Sequence, residues 1–418
     1  MRRIISFQAQ TDFITVDGKE KSFVKLHFKV PNGADDKAVY PTSFYVYKRQ
    51  IPFALPLGCD EYFYHMYPKK EELFYCGEIP FEKGNAGFRV FIDKEVETTK
   101  TYGYWVAYDE DMQTLSCLAP VTVRDPRVFW TQEKILSTMQ RLTKQYKKTE
   151  MEQVGYTAKG MPLFALRIGN KENCVALAGV VHAAESGPEI ALTVAEELLK
   201  NDAGLLEKTG LAIMPTVNGD MREKFVRGNP WYLRTNANGV DINRNFPKDW
   251  EEVNGEYSSS TDDPQSETYR GFAPMCERET QALVQFIETV KPRAVFSYHW
   301  LYSVCSDNFV GAGAQAITDI PYRTRVEKMT RIYSDAFRDA INEPRRPKET
   351  VFMVGKPGTF TRWLYSKDIP GVDVEHCCWE LRVFADVKEK GISTFETLTH
   401  SIKGHLQGIK ATLEYFEN

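Results

Sequence analysis

Three features are missing from this 418-residue sequence, and each absence argues against a class of protein. No apolar run is long enough to cross a bilayer, and the N-terminal MRRIISFQAQTDF has no secretory core, so we expect a cytoplasmic protein. The eight cysteines include no C-x-x-C spacing, which favours reduced thiols over a disulfide framework. The net charge of -4 and the lack of a basic stripe argue against a nucleic-acid partner. We therefore expect no membrane or nucleic-acid partner.

The composition and the first third of the chain predict a globular protein that begins with a β-domain. Hydrophobic residues make up 42% and charged residues 26%, and the length favours two domains. Within residues 1–125, short runs rich in aromatic and β-branched residues are separated by Gly, Asn, Asp and Pro, with no helical periodicity between them. This pattern predicts an all-β sandwich. Its last runs, TKTYGYWVAYDED and PVTVRDP, resemble the final strands of a fibronectin type III-like module.

The hydrophobic pattern changes in residues 126–418, where apolar strand-like runs alternate with amphipathic helices. TQEKILSTMQRLTKQYKK, PEIALTVAEELLK and ETQALVQFIETV have helical spacing, whereas CVALAGVV, LAIMPTV and AVFSYHW read as strands. Such alternation predicts an α/β domain with a mixed, mostly parallel sheet flanked by helices. Ligand sites in these sheets lie beyond the carboxyl ends of the strands.

Metal-binding residue types occur at two of these predicted strand ends. His182 and Glu185 follow CVALAGVV in the stretch GVVHAAESGPE, and His299 ends AVFSYHW. One His-x-x-Glu pair alone is weak, because about one is expected by chance in every chain or two of this composition, and a lone strand-end histidine is more often structural. Two imidazoles and a carboxylate at the ends of one sheet, however, form the open three-ligand set of a catalytic zinc site.

Two further stretches carry polar groups suited to a substrate. The loop RTNANGVDINRNFP, residues 234–247, holds two arginines and several asparagines, and guanidinium forks bind carboxylates. Pairing of Asp241 with an arginine is the structural alternative for this loop. Glu380 follows an apolar strand in CCWELRVFADV, where a salt bridge to Arg382 is the alternative.

Taken together, these motifs resemble those of the zinc metallocarboxypeptidases of the M14 type, over roughly residues 128–418. The matching segments, in the order typical of the family, are VGYTAKGMPLFALRIG, GVVHAAESGPE, NGVDINRNFP, YRGFAPMCERETQAL, FSYHW and WELR. The resemblance implies a carboxypeptidase A-like catalytic domain with one Zn²⁺ ion.

The resemblance also implies roles for individual residues. His182, Glu185 and His299 would bind Zn²⁺, and Glu380 would be the general base that activates water.

The loop residues of the same motif have implied roles in substrate binding. Arg234 would stabilise the oxyanion, and Asn243 with Arg244 would bind the terminal carboxylate of the substrate. That last contact would make the protein an exopeptidase, since the interior of a chain offers no such carboxylate.

The chain departs from the family pattern at several positions. Met161 stands where the family often has an arginine after the glycine. No tyrosine occupies the substrate-capping position, which falls near Val354, and Tyr365 lies too close to Glu380 to match it. For specificity, Thr361 and Arg362 in GTFTRW are candidates. A cation at Arg362 would favour a leaving residue with a second carboxylate, namely glutamate, aspartate or diaminopimelate, and a solvated surface arginine is the alternative.

We therefore expect a zinc exopeptidase acting on peptides or muropeptides with a free C-terminal carboxylate. Two alternatives stay open at this point. One is a zinc N-acyl amino acid hydrolase like the aspartoacylase and succinylglutamate desuccinylase group, which has a similar His-x-x-Glu. The other is a peptide-binding protein that has lost turnover. The sequence leaves the oligomeric state open.

Overall fold

The structure is a computed structural model, and it describes most of the chain. The described residues are 5–30, 43–51, 68–80, 87–107, 115–185, 187–230, 233–253, 260–301, 308–311, 318–344, 356–377 and 394–417. The chain divides into two compact units. The first comprises Met1–Phe129 and Lys224–Tyr232, and the second comprises Trp130–Glu223 and Leu233–Asn418.

The described residues of the first unit form seven antiparallel strands in two sheets. One sheet has the order β1-β2-β5 and the other the order β4-β3-β6-β7. The strands are β1 (Ile5–Val16), β2 (Lys19–Val30), β3 (Ser43–Ile51), β4 (Phe74–Pro80), β5 (Gly87–Asp93), β6 (Thr101–Ala107) and β7 (Ala119–Thr122), with a 3₁₀ turn at Lys70–Glu72. EYFYHMY, one of the aromatic-rich runs that predict strands in residues 1–125, lies outside the described residues.

Alternating side chains of both sheets form the core of this sandwich. Val24, Leu26 and Phe28 of β2 are fully buried in one cluster with Phe44 and other residues of the second sheet. The rings of Phe28 and Phe44 pack edge-on with centroids 5.3 Å apart. Period-two burial of this kind is typical of a sheet with one face in the core, so the predicted β-sandwich is present.

A segment from the second half of the chain completes the first unit. The amide of Thr11 donates to the carbonyl of Arg227 at 2.7 Å, and the amide of Thr122 donates to the carbonyl of Gly228 at 2.8 Å. The guanidinium of buried Arg124 lies 3.9 Å from the ring centroid of Phe225. The sequence analysis assigned residues 224–232 to the catalytic domain, whereas these contacts attach the segment to the sandwich.

In the second unit, the described strands form a seven-stranded mixed sheet with the order β13-β14-β12-β10-β11-β9-β8. Its strands are β8 (Thr149–Tyr156), β9 (Pro162–Ile168), β10 (Cys174–Ala178), β11 (Gly210–Met214), β12 (Val295–Leu301), β13 (Asn308–Gly311) and β14 (Gly371–Cys377). The four central strands, β14, β12, β10 and β11, run parallel to one another, and β13, β9 and β8 pair antiparallel to their neighbours.

Eight α-helices accompany the described strands. They are α1 (Gln132–Gln145), α2 (Pro188–Asn201), α3 (Ala203–Lys208), α4 (Gly219–Val226), α5 (Arg278–Val290), α6 (Ile320–Ala340), α7 (Phe360–Ser366) and α8 (Thr394–Phe416). Thr131 caps α1 by accepting from the amide of Lys134 at 3.2 Å, and Pro188 lies in the first turn of α2. None of the described helices combines the length and the apolar character needed to cross a bilayer.

Helices cover both faces of the mixed sheet. On one face, apolar residues of α5 and α7 share a core cluster with Ala176, Ala178 and Val295 of the central strands. On the other face, the ring centroid of Phe296 in β12 lies 4.8 Å from that of Tyr333 in α6. Since side chains alternate along β12, Ser297 and His299 point to the face of α5 and α7.

We predict that Gly228→Ala detaches the segment 224–232 from the sandwich. Gly228 has a φ of +100°, and an added Cβ would lie 2.5 Å from Val121 Cγ2 and 2.7 Å from Thr11 Oγ1. We expect a loss of about 1–3 kcal/mol of stability and faster amide hydrogen exchange in peptides containing Thr11 and Thr122.

Gly204→Ala in α3 is the matched control for this substitution, because no atom lies within 4 Å of the position that its Cβ would take. That variant should exchange like the wild type. Unchanged exchange at Thr11 and Thr122 in Gly228→Ala would contradict the predicted role of the segment.

Candidate active site

Three side chains that could bind a metal ion meet at one edge of the mixed sheet, where His182 and Glu185 follow β10 and His299 lies two residues before the end of β12. Nδ1 of His182 lies 2.8 Å from Oε1 of Glu185, and Nδ1 of His299 lies 3.2 Å from its Oε2. One ligand atom from each residue lies within 4.8 Å of the others, and the three residues are at most 3% exposed. The arrangement offers two imidazole nitrogens and a carboxylate oxygen to one cation.

Arg222 of α4 binds the backbone of the loop that carries His182 and Glu185. This buried guanidinium donates from Nη1 to the carbonyl of Glu185 at 2.8 Å and to the carbonyl of Ala183 at 3.3 Å. It also pairs with the buried carboxylate of Glu189. One charged group thereby holds the backbone at Ala183, between the two predicted ligands, and at Glu185 itself.

Hydrogen bonds orient the outer nitrogen of each histidine. Nε2 of His182 lies 3.1 Å from Oδ1 of Asp241, and Nε2 of His299 lies 2.9 Å from Oγ of Ser297. Outer partners of this kind fix the ring orientation and leave Nδ1 facing the centre of the cluster.

The electrostatics of the cluster favour positive charge at its centre. Burial opposes ionisation of Glu185, but His182 and His299 outweigh it and hold the pKa of Glu185 below its usual range. Burial likewise opposes protonation of His299, but the adjacent Glu185 raises the pKa of that imidazole. A buried carboxylate that favours a proton on the neighbouring ring also favours a metal cation between the rings.

Asp241 connects this cluster to the arginines of the DINR loop. Its carboxylate is fully buried, and Oδ2 accepts from Nε of Arg234 at 2.8 Å while Oδ1 accepts from the amide of Asn243 at 2.9 Å. Nη1 of Arg244 lies 4.0 Å from Oδ2. The pairing of Asp241 with arginine, which was the structural alternative for this loop, is present and brings Arg234 and Arg244 to the metal cluster.

The loop is also fastened to the start of α7. Oδ1 of Asn243 accepts from the amide of Phe360 at 2.8 Å. Gly358 has a φ of +69° and passes so close to Arg244 that a Cβ would lie 2.2 Å from its carbonyl oxygen. Burial lowers the pKa of Arg244 to about 10, so its guanidinium keeps a positive charge at neutral pH.

Arg362 lies on α7 and is only 6% exposed, so it is not a solvated surface residue. Its Nε lies 2.5 Å from Oδ2 of Asp249, and its Nη2 lies 3.2 Å from Oε2 of Glu252. Two carboxylates of the protein therefore pair with the Arg362 guanidinium, which the sequence suggested as a binding group for a substrate carboxylate. The specificity role of Arg362 stays a prediction.

Two of the positions discussed from sequence cannot be located. Glu380, the predicted general base, lies outside the described residues, as does Val354 at the capping position. Tyr365 is described, and its hydroxyl lies 3.5 Å from Oδ2 of Asp319.

Sequence reasoning missed two acidic residues that the structure brings to the cluster. Asp373 and Glu375 are alternate residues of β14, and they pair in register with Ser297 and His299 of the parallel strand β12. Burial, followed by the carboxylates of Asp373 and Glu185, raises the pKa of Glu375 to about 7. Their signal in the sequence was the run GVDVEHC, where two acids two residues apart interrupt a strand and must share one face.

Comparison with known proteins identifies the family of this chain. The family model for the zinc carboxypeptidases, Peptidase_M14, matches residues 135–384, which is more than half of the chain. The chain belongs to the zinc carboxypeptidase family. Members of this family use zinc, and the His182, Glu185 and His299 cluster supplies donors of the appropriate kind.

Curated relatives of this zinc carboxypeptidase match over limited segments. Murein peptide amidase A of Escherichia coli K12 is 44% identical over 70 residues, which cover 16% of this chain and 29% of that protein. Mast cell carboxypeptidase A of Homo sapiens is 26% identical over 175 residues, which cover 38% of this chain and 41% of that protein. The chain therefore spans less than half of the length of either relative.

Solved structures of other proteins match the fold of this zinc carboxypeptidase over a larger share of the chain than the curated relatives do. Bovine thrombin-activatable fibrinolysis inhibitor superposes with a TM-score of 0.54 at 19% identity, over 69% of this chain and 98% of that one. A metallo-carboxypeptidase from Burkholderia cenocepacia superposes with a TM-score of 0.50 at 14% identity, over 98% of both chains. These likenesses concern the fold, and they confirm the predicted class of a helix-flanked mixed sheet preceded by a β-domain.

We predict that the protein binds one zinc ion per chain through this cluster. Glu185→Gln and His299→Ala should each weaken zinc binding by more than the roughly 10- to 100-fold that is typical of losing an outer hydrogen-bond partner. Zinc at a thousand times its dissociation constant should stabilise the fold by about 4 kcal/mol. Calorimetric titration and thermal unfolding, with and without a chelator, measure both effects.

His400→Ala is the matched control for the zinc prediction, because His400 is an exposed histidine of α8. It should bind zinc like the wild type. Equal zinc affinity in the His299→Ala variant would contradict the predicted site.

Proposed function

We propose that the protein is a zinc-dependent exopeptidase that hydrolyses the C-terminal amide bond of peptides. The observation that carries the proposal is the single carboxylate of Asp241, which contacts both His182 of the metal cluster and Arg234 beside Arg244. A metal-binding group and two cations suited to a carboxylate thus lie within the reach of one substrate residue. Hydrolysis at the end of a chain needs this combination.

His182, Glu185 and His299 would hold the zinc ion. Zinc in such a site lowers the pKa of water and polarises a carbonyl group. The support in this chain is the donor set itself, two imidazole nitrogens turned toward a buried carboxylate.

Asn243 and Arg244 would bind the terminal carboxylate, and Arg234 would stabilise the negative charge that develops on the scissile carbonyl oxygen. Both arginines lie at Asp241, and Arg234 is the more accessible, with 18% of its side chain exposed. In analogous enzymes, removing one such donor costs about 3–4 kcal/mol of transition-state stabilisation. The fork of Arg244 would restrict cleavage to chain ends.

Glu375 is the general base that the geometry favours, in place of the sequence-based candidate Glu380. It lies beside His299 in the register of β12 and β14, and its Oε2 is buried without a hydrogen-bond partner among the described residues. A pKa of about 7 suits a group that accepts and returns a proton near neutral pH. Glu380 stays the alternative, since its position is not described.

The proposed reaction adds one water molecule across the amide. Glu375 takes a proton from the attacking water, whose oxygen forms a bond to the carbonyl carbon. The C–N bond then breaks, and the same carboxyl group returns the proton to the leaving amine. The products are a shortened chain with a new carboxylate and one free amino acid.

Muropeptides are the second substrate class that we propose to test. The support is the 70-residue similarity to murein peptide amidase A, whose name refers to murein peptides. A cytoplasmic location stays a prediction from the sequence.

We predict that Glu375→Gln strongly lowers kcat while zinc binding is retained. Loss of a general base lowers kcat by about 10²- to 10⁴-fold. The assay is hydrolysis of a peptide pool by the zinc-loaded full-length protein, with zinc content measured on the same sample. Glu380→Gln is the matched variant, and a loss of activity in that variant alone would return the role to Glu380.

We predict that mass spectrometry of the products shows loss of one C-terminal residue and no internal cleavage. The substrates are a C-terminally diverse peptide pool, the same pool with amidated C-termini, and a γ-D-glutamyl-diaminopimelate muropeptide. Amidated peptides should resist cleavage, because they offer no carboxylate to Arg244.

Other outcomes would replace the proposed function. Cleavage of N-acyl amino acids without cleavage of any peptide would favour the acyl amino acid hydrolases. Zinc binding and peptide binding without any turnover would favour a non-catalytic binding protein.

A further inference from the structure

A strained residue lies close to the two predicted zinc ligands that follow β10. Val180 has a φ of +52°, in the left-handed region that β-branched side chains avoid. A conformation of this kind persists only where the surrounding contacts hold it in place. Since Val180 is two residues before His182, the contacts that hold residues 179–185, here called the metal loop, also fix the position of this ligand.

The segment that precedes α4 holds the first half of the metal loop. The carbonyl of Gly179 accepts from the amide of Val217 at 3.1 Å. The carbonyl of Val180 accepts from the amide of Asn218 at 2.9 Å, and Nδ2 of Asn218 lies 3.4 Å from the carbonyl oxygen of Val181. These bonds fix the backbone as far as the residue before the first ligand.

Arg222 holds the second half of the metal loop. It follows Asn218 by one helical turn, and its amide donates to the Asn218 carbonyl at 3.0 Å. Its Nη1 donates to the carbonyl of Glu185 at 2.8 Å and to the carbonyl of Ala183 at 3.3 Å. The metal loop is buried throughout, so its carbonyl groups need donors from the protein in place of water. One side chain therefore binds the loop at two positions after His182.

The charge of Arg222 is balanced by Glu189 of α2. A lone cation close to a zinc site would oppose the binding of a metal ion. Here Nη2 of Arg222 pairs with the carboxylate of Glu189, and both side chains are at most 1% exposed. The same carboxylate accepts from the amide of Trp130 at 2.6 Å. The guanidinium thus holds the loop as part of a neutral pair, and its bond to Glu185 goes to the backbone rather than to the carboxylate that would bind zinc.

We infer that Arg222, paired with Glu189, is a positioning residue that holds the metal loop in its zinc-binding conformation before the ion binds. This inference rests on the proposed zinc enzyme. A loop that is ordered in advance loses little conformational freedom on binding, which favours affinity. Without Arg222, the backbone around Val180 could relax, and zinc binding would have to order it again.

The test compares zinc affinity, and amide hydrogen exchange without zinc, in the full-length protein. In Arg222→Gln we expect zinc affinity to fall by roughly 10- to 100-fold, the range typical of losing an outer partner of the metal ligands. The amides of Ala183 and Glu185 are hydrogen-bonded in the structure, to the carbonyls of Leu233 and His182. In the zinc-free variant they should exchange at least about tenfold faster than in the wild type, because the loop opens more often.

Arg222→Lys separates the charge from the hydrogen-bonding fork. The ammonium group can still pair with Glu189, but it lacks the planar fork that reaches the carboxylate and two carbonyl groups together. This variant should recover part of the zinc affinity lost in Arg222→Gln. If Arg222→Gln does not fold, Arg222→Lys is the test, and wild-type zinc affinity in that variant would overturn the inference.

Arg338→Gln is the matched control for these variants. Arg338 of α6 is also a fully buried arginine, and it pairs with Glu343. Its replacement should lower the free energy of unfolding, because a buried ion pair is broken. Zinc affinity and the exchange of the Ala183 and Glu185 amides should stay at their wild-type values.

Two outcomes would overturn the inference. One is wild-type zinc affinity and wild-type exchange of the loop amides in Arg222→Gln. The other is an equal loss of zinc affinity in Arg338→Gln, which would mean that Arg222 acts only through the overall stability of the fold.

Failure of the proposed function is recognised separately, because neither measurement needs turnover. If zinc binds but no peptide is cleaved, the exopeptidase proposal fails, whereas the zinc affinities and exchange rates still decide the role of Arg222. If the wild type binds no zinc, the metal site is wrong and the inference fails with it.

Discussion

The buried carboxylate of Asp241 is the interaction on which the site depends. It accepts hydrogen bonds from His182, from Arg234 and from the amide of Asn243, and Arg244 lies 4.0 Å away. Burial opposes its ionisation, but Arg234, Arg244 and His182 outweigh that cost and hold the pKa of Asp241 below its usual range. Removing a charged partner would leave buried charge uncompensated, so the candidate metal cluster and the DINR loop form one electrostatic unit.

The sequence predicted the parts of this unit that depend on local patterns. His182 could be placed because it follows an apolar strand, His299 because it lies near the end of another, and the DINR loop because its residue types suit a carboxylate. The β-sandwich and the α/β domain could both be predicted from the periodicity of apolar residues alone. Strand β1 has the weakest sequence signal, because Gln8, Gln10 and Asp12 make one of its faces polar and ISFQAQTDFITV has few apolar residues.

The parts that were missed depend on contacts between distant segments. Glu375 gains its significance from its register with His299, and 76 residues separate the two positions. Arg362 pairs with Asp249, 113 residues earlier, and nothing near Arg362 in the sequence reveals that neutralisation. The resemblance at WELR points to Glu380, which lies outside the described residues, so its role as general base stays a prediction.

The attachment of residues 224–232 to the sandwich has a consequence for how the chain is made. A ribosome releases the N-terminal strands first, and domains usually fold in that order. Here the amides of Thr11 and Thr122 find their partners at Arg227 and Gly228, about a hundred residues after the sandwich strands end. The N-terminal unit therefore reaches its final set of hydrogen bonds only after part of the second unit has been synthesised. A fragment that ends near residue 125 would lack Arg227 and Gly228, the partners of the Thr11 and Thr122 amides.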